Sequence, residues 1–327
     1  MQSLKLRPIR TMILGVAAIL AAGAVHAQDY PNKTVRIVVP FASGGGTDTM
    51  ARVVANALQK SLGQTFIVEN KPGASGNIGL EQVARSPADG YTLVMITNNL
   101  AINPSLFQKV GYDPIKDFAP VALVGSSPVA ISVSSGSEFR SLADIIRYAR
   151  ENPDKLAYSS CGNGTPQHLA GELLLQMTQA KMAHVSYKGC APAIPDHISG
   201  TVPIAFSTIA NLSPHIKAGK ARGIAVTGSN RSSYWQDVPT VSEAAKLQGY
   251  NIDVWFGLFA PAGTPKEVVA KLNEAVNAAI SSADAKQRMS DQNYEAHGGS
   301  SAALGELVKR DVARYQKIIK DANIKAD

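Results

Sequence analysis

The chain has 327 residues, 45% apolar, 17% charged and 6% aromatic, with a formal net charge of +7. The length suits two domains of ordinary size, and the composition is that of a folded α/β protein. Three of the positive charges, Lys5, Arg7 and Arg10, precede the apolar run MILGVAAILAAGAV, and no acid accompanies them, so removing that segment takes +7 to +4 (7 − 3). A charge of that size, spread over the remaining chain, is not a nucleic-acid footprint, although it mildly favours small anions.

The first predicted feature is therefore a secretory signal peptide, residues 1–27, cut after Ala27, where Val25 and Ala27 supply the small residues. The alternative is a membrane anchor, but the run is short and lacks a stop-transfer flank. No cysteine follows it that would take a lipid, and no zinc module or polybasic tract is present. The expected location is the periplasm.

Beyond Ala27, strands and helices alternate. TVRIVVP reads as a strand and 47–62 as a helix. TFIVEN, a helix over 77–85 and the strand YTLVMIT follow. VAISVSS precedes a helix over 141–150, and KLAYSS precedes one over 166–177. MAHVSY, TVPIAFS and ARGIAVT read as short buried strands, and the chain ends in helices over 265–281 and 300–323. Such alternation predicts parallel sheets covered on both faces. No internal repeat and no long linker is visible, so two domains require a chain that crosses over and returns. The crossings fall in VALVGSSPVAISV and YNIDVWFGLFAP. The division expected is 28–125 and 254–327 for one domain and 126–253 for the other.

Glycines mark the first strand-to-helix turn. Ser43, Gly44, Gly45 and Gly46 stand between the strand and the helix, with Thr47 and Asp48 in its first turn. A helix start carries unpaired N–H groups and partial positive charge, and glycine lets a ligand come close to them, so the turn can seat an anion. It is neither a P-loop, which needs Gly-Lys-Ser/Thr, nor a dinucleotide fingerprint, since Thr49 stands where the third glycine belongs. A plain turn capped by Thr47 or Asp48 is the simpler alternative. YSSCGNGTPQHLAGELL, residues 158–174, repeats the same logic. Thr165 reads as the N-cap and Pro166 as the first helical residue, while Ser159, Ser160 and Asn163 offer hydrogen bonds. Two such seats, one per lobe, could grip one anion beyond the C-terminal strand ends.

The sequence is similar to the Bug family, periplasmic receptors of tripartite tricarboxylate transporters, over nearly all of 30–327. The similarity rests on PFASGGGTD, ENKPGASGNIG, AINPSLF, YSSCGNGTPQHLAGEL, YKGCAPAIPDHISG, ARGIAVTGSNRS, DVPTVSEA and WFGLFAPAGTP, in that order. It implies two α/β domains of the periplasmic-binding-protein kind (Venus flytrap, type II-like) joined by crossing strands. It further implies that they close on a small organic carboxylate delivered to membrane transporter subunits, with a monomer and no cofactor. The family's ligand loops map onto Phe41, Ala42, Ser43, Gly44, Gly45, Thr47 and Asp48, and onto Ser159, Ser160, Cys161, Asn163, Gly164 and Thr165. Asn98 and Ser127 join them by position near the lobe junction. Departures from the pattern fall at Cys161, at Asn98–Asn99–Leu100 where histidine is usual, at Cys190, and at Tyr234–Trp235.

His168, one turn into the second helix, is a ligand contact or, in its more ordinary role, a helix–loop hydrogen bond. Lys188 is a partner for a distal carboxylate or simply solvated. Asp48 suits capping of backbone amides better than meeting a carboxylate. Trp255 reads as core, and His184, His197, His215 and His297 lack metal-ligand spacing. Cys161 and Cys190 both follow strands at the ligand edge and could pair if those strands are neighbours. The competing class is an exported hydrolase or transferase using Cys161 and His168. No orienting acid is evident for it, and the Gly-x-Ser-x-Gly elbow is absent. Bulky replacements of Gly44 or Gly164 are expected to abolish binding.

Overall fold

A computed structural model describes residues 30–325. The expected signal peptide, 1–27, lies outside the described residues. The strands are β1 (Val35–Val39), β2 (Phe66–Asn70), β3 (Thr92–Ile96), β4 (Phe118–Ser134), β5 (Ala157–Ser160), β6 (Ala183–Ser186), β7 (Ile204–Thr208), β8 (Ala221–Val226), β9 (Asp253–Pro261) and β10 (Glu295–Ala296). The principal helices are α1 (Gly46–Leu62), α2 (Asn77–Ala84), α3 (Asn99–Leu106), α4 (Leu142–Glu151), α5 (Pro166–Thr178), α6 (Cys190–Ser199), α7 (Ile209–Lys217), α8 (Val241–Ala245), α9 (Lys266–Ser281), α10 (Ala283–Asp291) and α11 (Ser301–Asp321).

The helices form where burial and capping agree. In α1, Met50, Ala51, Val54, Ala55 and Leu58 recur at helical spacing and are buried, and Gly63 stops the helix in the left-handed region at φ 67°. Each fully buried Leu or Met on such a face contributes about 1.5–3 kcal/mol. α4 begins with a capping box between Ser141 and Asp144, and α5 with Thr165 as N-cap and Pro166 behind it. β3, TLVMI, is buried along its whole length, as befits a strand covered on both faces.

One curled sheet runs in the order β2-β1-β3-β9-β4-β7-β5-β6, with β8 and β10 also paired to β4. β4 changes partners along its 17 residues. From Phe118 to Pro128 it pairs with β9, and from Val129 onward with β7 and β8. The two halves share one plan. Counting strands within each half, the order is second, first, third, crossing strand, fourth: β2-β1-β3-β9-β4 on one side and β6-β5-β7-β4-β8 on the other. The sequence shows no repeat, yet the topology has one.

The parallel pairing read from the sequence holds for β1 with β2 and β3, and for β5 with β6 and β7. The crossing strands depart from it. β9 runs antiparallel to β3 and β4, and β4 antiparallel to β7 and β8. A strand that enters from the other half arrives in the opposite direction, which alternation of hydrophobic segments alone does not reveal. Pro120 and Pro128 are tolerated inside β4 because the first borders a register shift and the second ends the pairing with β9.

The crossing is held by buried polar groups. Asn98, 1% exposed, donates to the Asp253 carbonyl (3.1 Å) and the Tyr315 hydroxyl (2.8 Å) and accepts from the Trp255 N–H (3.1 Å). Trp255 donates its indole N–H to Asp311 at 2.8 Å. Asp253 opens β9 opposite Pro128. Its carboxyl is pushed up to about 6, first by burial and then by Glu295, while Arg314 pulls the other way. The folded protein thus holds this proton more tightly than the unfolded chain, whose value is near 3.8. Stability from this group is fully present below the unfolded value and is lost as pH rises through about 6. Asp253→Asn is expected to stabilise the protein by about 1–3 kcal/mol above pH 7 and by little near pH 4, as read by urea unfolding at the two pH values.

Candidate functional site

The strand order creates the site. In each half the first and third strands are neighbours, and the connection from the first leads one way while that from the third leads the other. Their C-terminal ends therefore bound a crevice, the usual ligand position in open α/β sheets. β1 leads into α1 and β3 into α3 in one half; β5 leads into α5 and β7 into α7 in the other. α6 follows β6 beside them.

All five helices bring a cap or first-turn residue to one cavity of about 60 Å³. α1 contributes Gly45, Gly46 and Thr47; α3 contributes Asn99; α5 contributes Thr165, Pro166 and Gln167; α6 contributes Gly189 and Cys190; α7 contributes Thr208 and Asn211. Phe41, Ala42, Thr97, Cys161, Val254 and Phe256 complete the lining, and none of the lining residues is charged. First-turn N–H groups have no carbonyl of their own helix to bond, and each helix terminus favours an anion by about 0.3–2 kcal/mol. Gly45, the N-cap of α1, carries no side chain to occupy those donors, and Asn211 turns its amide to the Thr208 hydroxyl at 2.9 Å.

A second, larger chamber of about 420 Å³ adjoins the first. It is lined by the 72–76 turn, Phe107, Gly162, Asn163 and the 186–189 segment, with Lys188 its one charged lining residue. Phe41, Ala42, Cys161, Thr165 and Gly189 line both chambers.

Of the residues singled out from the sequence, Phe41, Ala42, Gly45, Thr47, Cys161, Asn163 and Thr165 face one chamber or the other. Ser43 and Gly44 do not line either. Gly44 borders a separate depression beside α7 and the 291–294 turn. Asp48 stands behind the first loop. Its carboxylate accepts from the Gly44 N–H (3.0 Å), Arg52 (2.9 Å) and Asn70 (3.0 Å), and Asn70 also donates to the Phe41 carbonyl (3.1 Å). Burial raises the Asp48 carboxyl, but the bonds from Arg52, Gly44 and Asn70 outweigh it and hold the group below the usual range. Asp48 therefore fixes the loop's shape.

The second loop is braced in the same manner. His168, 4% exposed, accepts the Gly164 N–H on Nδ1 at 3.1 Å and stacks on His184 with ring centres 4.0 Å apart. Burial, then repulsion from His184, pushes it down to about 3, so it stays neutral and serves as a helix–loop hydrogen bond. Ser160 meets His184 at 2.7 Å, and Ser159 donates to the Ile204 carbonyl at 3.4 Å. Ser159, Ser160, Gly164 and His168 thus shape the wall from behind. Asn98 is committed to the crossing, and Ser127, fully buried in β4 opposite Val254, lies off both linings. Position near the lobe junction brought these two forward. The junction uses Asn98 structurally, the buried Ser127 hydroxyl has no hydrogen-bond partner among the described residues, and Thr97 and Asn99, on either side of Asn98, reach the cavity.

Sequence reading missed Thr208 and Asn211, although a helix start after a buried strand was a usable signal there. Cys161 and Cys190 are bonded, with Cα atoms 4.2 Å apart. The sulfur proposed as a hydrolase nucleophile is therefore not a thiol, and the imidazole proposed to serve it is engaged by Gly164. Among the described residues no cluster of His, Cys, Asp or Glu could hold a metal, and no helix is long and apolar enough to cross a membrane.

The two halves touch across the chambers. Asn99 donates to the Gly164 carbonyl at 3.1 Å, Ser75 donates to the Asn163 carbonyl, and Tyr234 donates to the Tyr294 carbonyl at 2.9 Å. Gly164 adopts φ +72°, and a Cβ there would lie 2.3 Å from Leu106 of the opposite half. Gly44 differs. It also has positive φ, +82°, but a Cβ there would meet nothing within 4 Å.

Comparison with known proteins agrees with this architecture. The chain is 31% identical to BugT of Bordetella pertussis over 322 residues, 96% of this chain and 98% of that protein. Among solved structures it resembles R. palustris Rpa4515 with adipate at 38% identity and a TM-score of 0.87, covering 91% of this chain and 99% of that one. It also resembles MatC from Rhodopseudomonas palustris with bound malate at 33% identity and a TM-score of 0.84, covering 89% of this chain and all of that one. The family model of the tripartite tricarboxylate transporter family receptor matches residues 50–324. The chain therefore belongs to the tripartite tricarboxylate transporter receptor family, as the eight motifs of its sequence implied.

Proposed function

We propose that this protein is an exported receptor that captures a small organic carboxylate between its two lobes. It then delivers the carboxylate to the membrane subunits of a tripartite tricarboxylate-type transporter. The observation that carries the reading is the convergence of five helix N-termini, from both halves, on one uncharged cavity. Neutral donors converging on one cavity suit a carboxylate, whose oxygens accept several N–H and O–H bonds at once. The adipate and malate of the two Rhodopseudomonas relatives belong to the same chemical class.

The mechanism is a population shift. One lobe binds first; closure brings the second lobe's helix starts onto the ligand and makes the Asn99–Gly164, Ser75–Asn163 and Tyr234–Tyr294 bonds. The transporter recognises the closed form, and a ligand drives closure only by its preference for that form. The lobes are 28–125 with 254–327, and 126–253, in keeping with the exchange of β4 partners at Pro128 and Val129. The protein acts in the periplasm as a monomer, after removal of residues 1–27, and performs no chemistry on its ligand.

A panel of aliphatic and aromatic mono-, di- and tricarboxylates should contain members that raise the melting temperature and are recovered unchanged. Turnover of any of them, or no shift with all, contradicts the receptor reading. Gly164→Val should lower affinity at least about tenfold by calorimetry, because its side chain opposes Leu106 and holds the lobes apart. Gly44→Ala should leave affinity within about threefold, costing mainly about 1 kcal/mol of backbone strain in unfolding experiments. This separates two glycines that look equivalent in the sequence.

A further inference from the structure

Of the three hydrogen bonds that join the lobes across the chambers, one stands apart from the ligand space. Asn99 lines the inner cavity, and Ser75 and Asn163 line the outer chamber. Tyr234 and Tyr294 line neither. The Tyr234 hydroxyl donates to the Tyr294 carbonyl at 2.9 Å, and beside this bond a depression of about 310 Å³ separates α7 from the 291–294 turn. Each end is fixed within its own lobe. Tyr234 donates its backbone N–H to the Ser232 hydroxyl at 3.2 Å, and its ring packs with Trp235 against the cluster of Ile194, Ile209, Leu212 and Val226. Trp235 donates its indole N–H to the Ser213 hydroxyl at 3.1 Å. Opposite, the buried Tyr294 ring meets Phe256 edge to face at 5.6 Å, and a Cβ on Gly46 would lie 2.8 Å from its hydroxyl. Phe256 and Gly46 both line the inner cavity, so the acceptor sits directly behind the cavity wall.

We propose that Tyr234 is a latch on the closed receptor: its bond to the Tyr294 carbonyl forms on closure, touches no ligand, and sets how slowly a bound carboxylate is released. The inference rests on the two-lobe receptor reading and assigns a residue to its closing step. A bond made in the closed form alone shifts the balance toward that form by its own strength, whatever ligand is inside. Because both partners are held by their own lobes, little further freedom is lost when the bond forms. A ligand leaves only after the lobes part, so the latch acts on dissociation and not on the first encounter with the open form. Tyr234 and Trp235, which depart from the family pattern in sequence, thereby have distinct tasks. Trp235 ties the segment to α7, and Tyr234 reaches across.

The test compares the mature wild type with Tyr234→Phe, which keeps the packed ring and removes only the hydroxyl. The probes are succinate, malate, glutarate, adipate, citrate, benzoate and terephthalate. For every probe that binds the wild type, Kd by calorimetry should rise about 3–10-fold in the variant, the net worth of one hydrogen bond. The factor should agree within about twofold from one ligand to the next, since the hydroxyl contacts none of them. Stopped-flow measurements should place the loss in a faster dissociation rate, with the association rate within about twofold of wild type. Without ligand the two proteins should melt within about 2 °C of each other, because the open form lacks the bond. Unchanged affinity overturns the proposal. So does a loss carried by association, a loss that differs widely between ligands, or a ligand-free melting temperature lowered as much as the ligand-bound one, which marks an ordinary packing role. Binding of none of these carboxylates by the wild type sinks the receptor reading itself, a result distinct from binding that is indifferent to the hydroxyl.

Discussion

The structure depends on the unpaired N–H groups that every helix start exposes. A helix must leave its first amides without intrahelical partners, and a buried amide without a partner costs about 1–3 kcal/mol. Here five helix starts face one cavity in which no charged side chain stands, and since α3 spends its first-turn N–H groups on Thr97 and the Asn98 carbonyl, the backbone donors come from the other four. A carboxylate placed there satisfies donors that closure would otherwise strip of water. Affinity and lobe closure thus arise from the same bonds, and the two halves have reason to close only around a ligand that accepts hydrogen bonds from both.

Much of the polar machinery works one layer back. Asp48 uses three hydrogen bonds to hold the first glycine loop, and its own charge is compensated by Arg52. His168 does the equivalent for the second loop as a neutral acceptor. Asn98 pins the crossing strand β9. These residues lie off both chamber linings, yet each is bound to the backbone whose position the site requires. An acid beside an anion seat is reasonable on these terms, since its carboxylate is consumed by the loop and turned from the cavity.

The sequence made the two glycine-rich turns legible because glycine, an N-cap and a first-turn helix former in that order have a local physical meaning. It made the parallel strand clusters legible because buried strands read as continuous apolar runs. The antiparallel crossing strands were not legible from alternation. Their direction depends on which lobe the chain comes from, a property of the whole path. The bracing roles of Asn98 and His168 were likewise beyond reach in one dimension. Asn98 meets Trp255 and Asp253 more than 150 positions away, and nothing local separates it from Asn99, which lines the cavity. Thr208 and Asn211 lay in a segment with no glycine signal, so the third strand of the second half went unread as a donor of site residues. Gly44 and Gly164 look alike in sequence, and only the packing of Leu106 tells them apart.

The most direct measurement is a crystal structure of the mature protein with a carboxylate taken from the panel that stabilises it. The account predicts carboxylate oxygens within about 3 Å of first-turn N–H groups from both lobes, Gly46 or Thr47 on one side and Gln167 on the other, with no arginine or lysine in contact with that carboxylate. A carboxylate held by a cation, or seated on one lobe alone while the other stays apart, would contradict it.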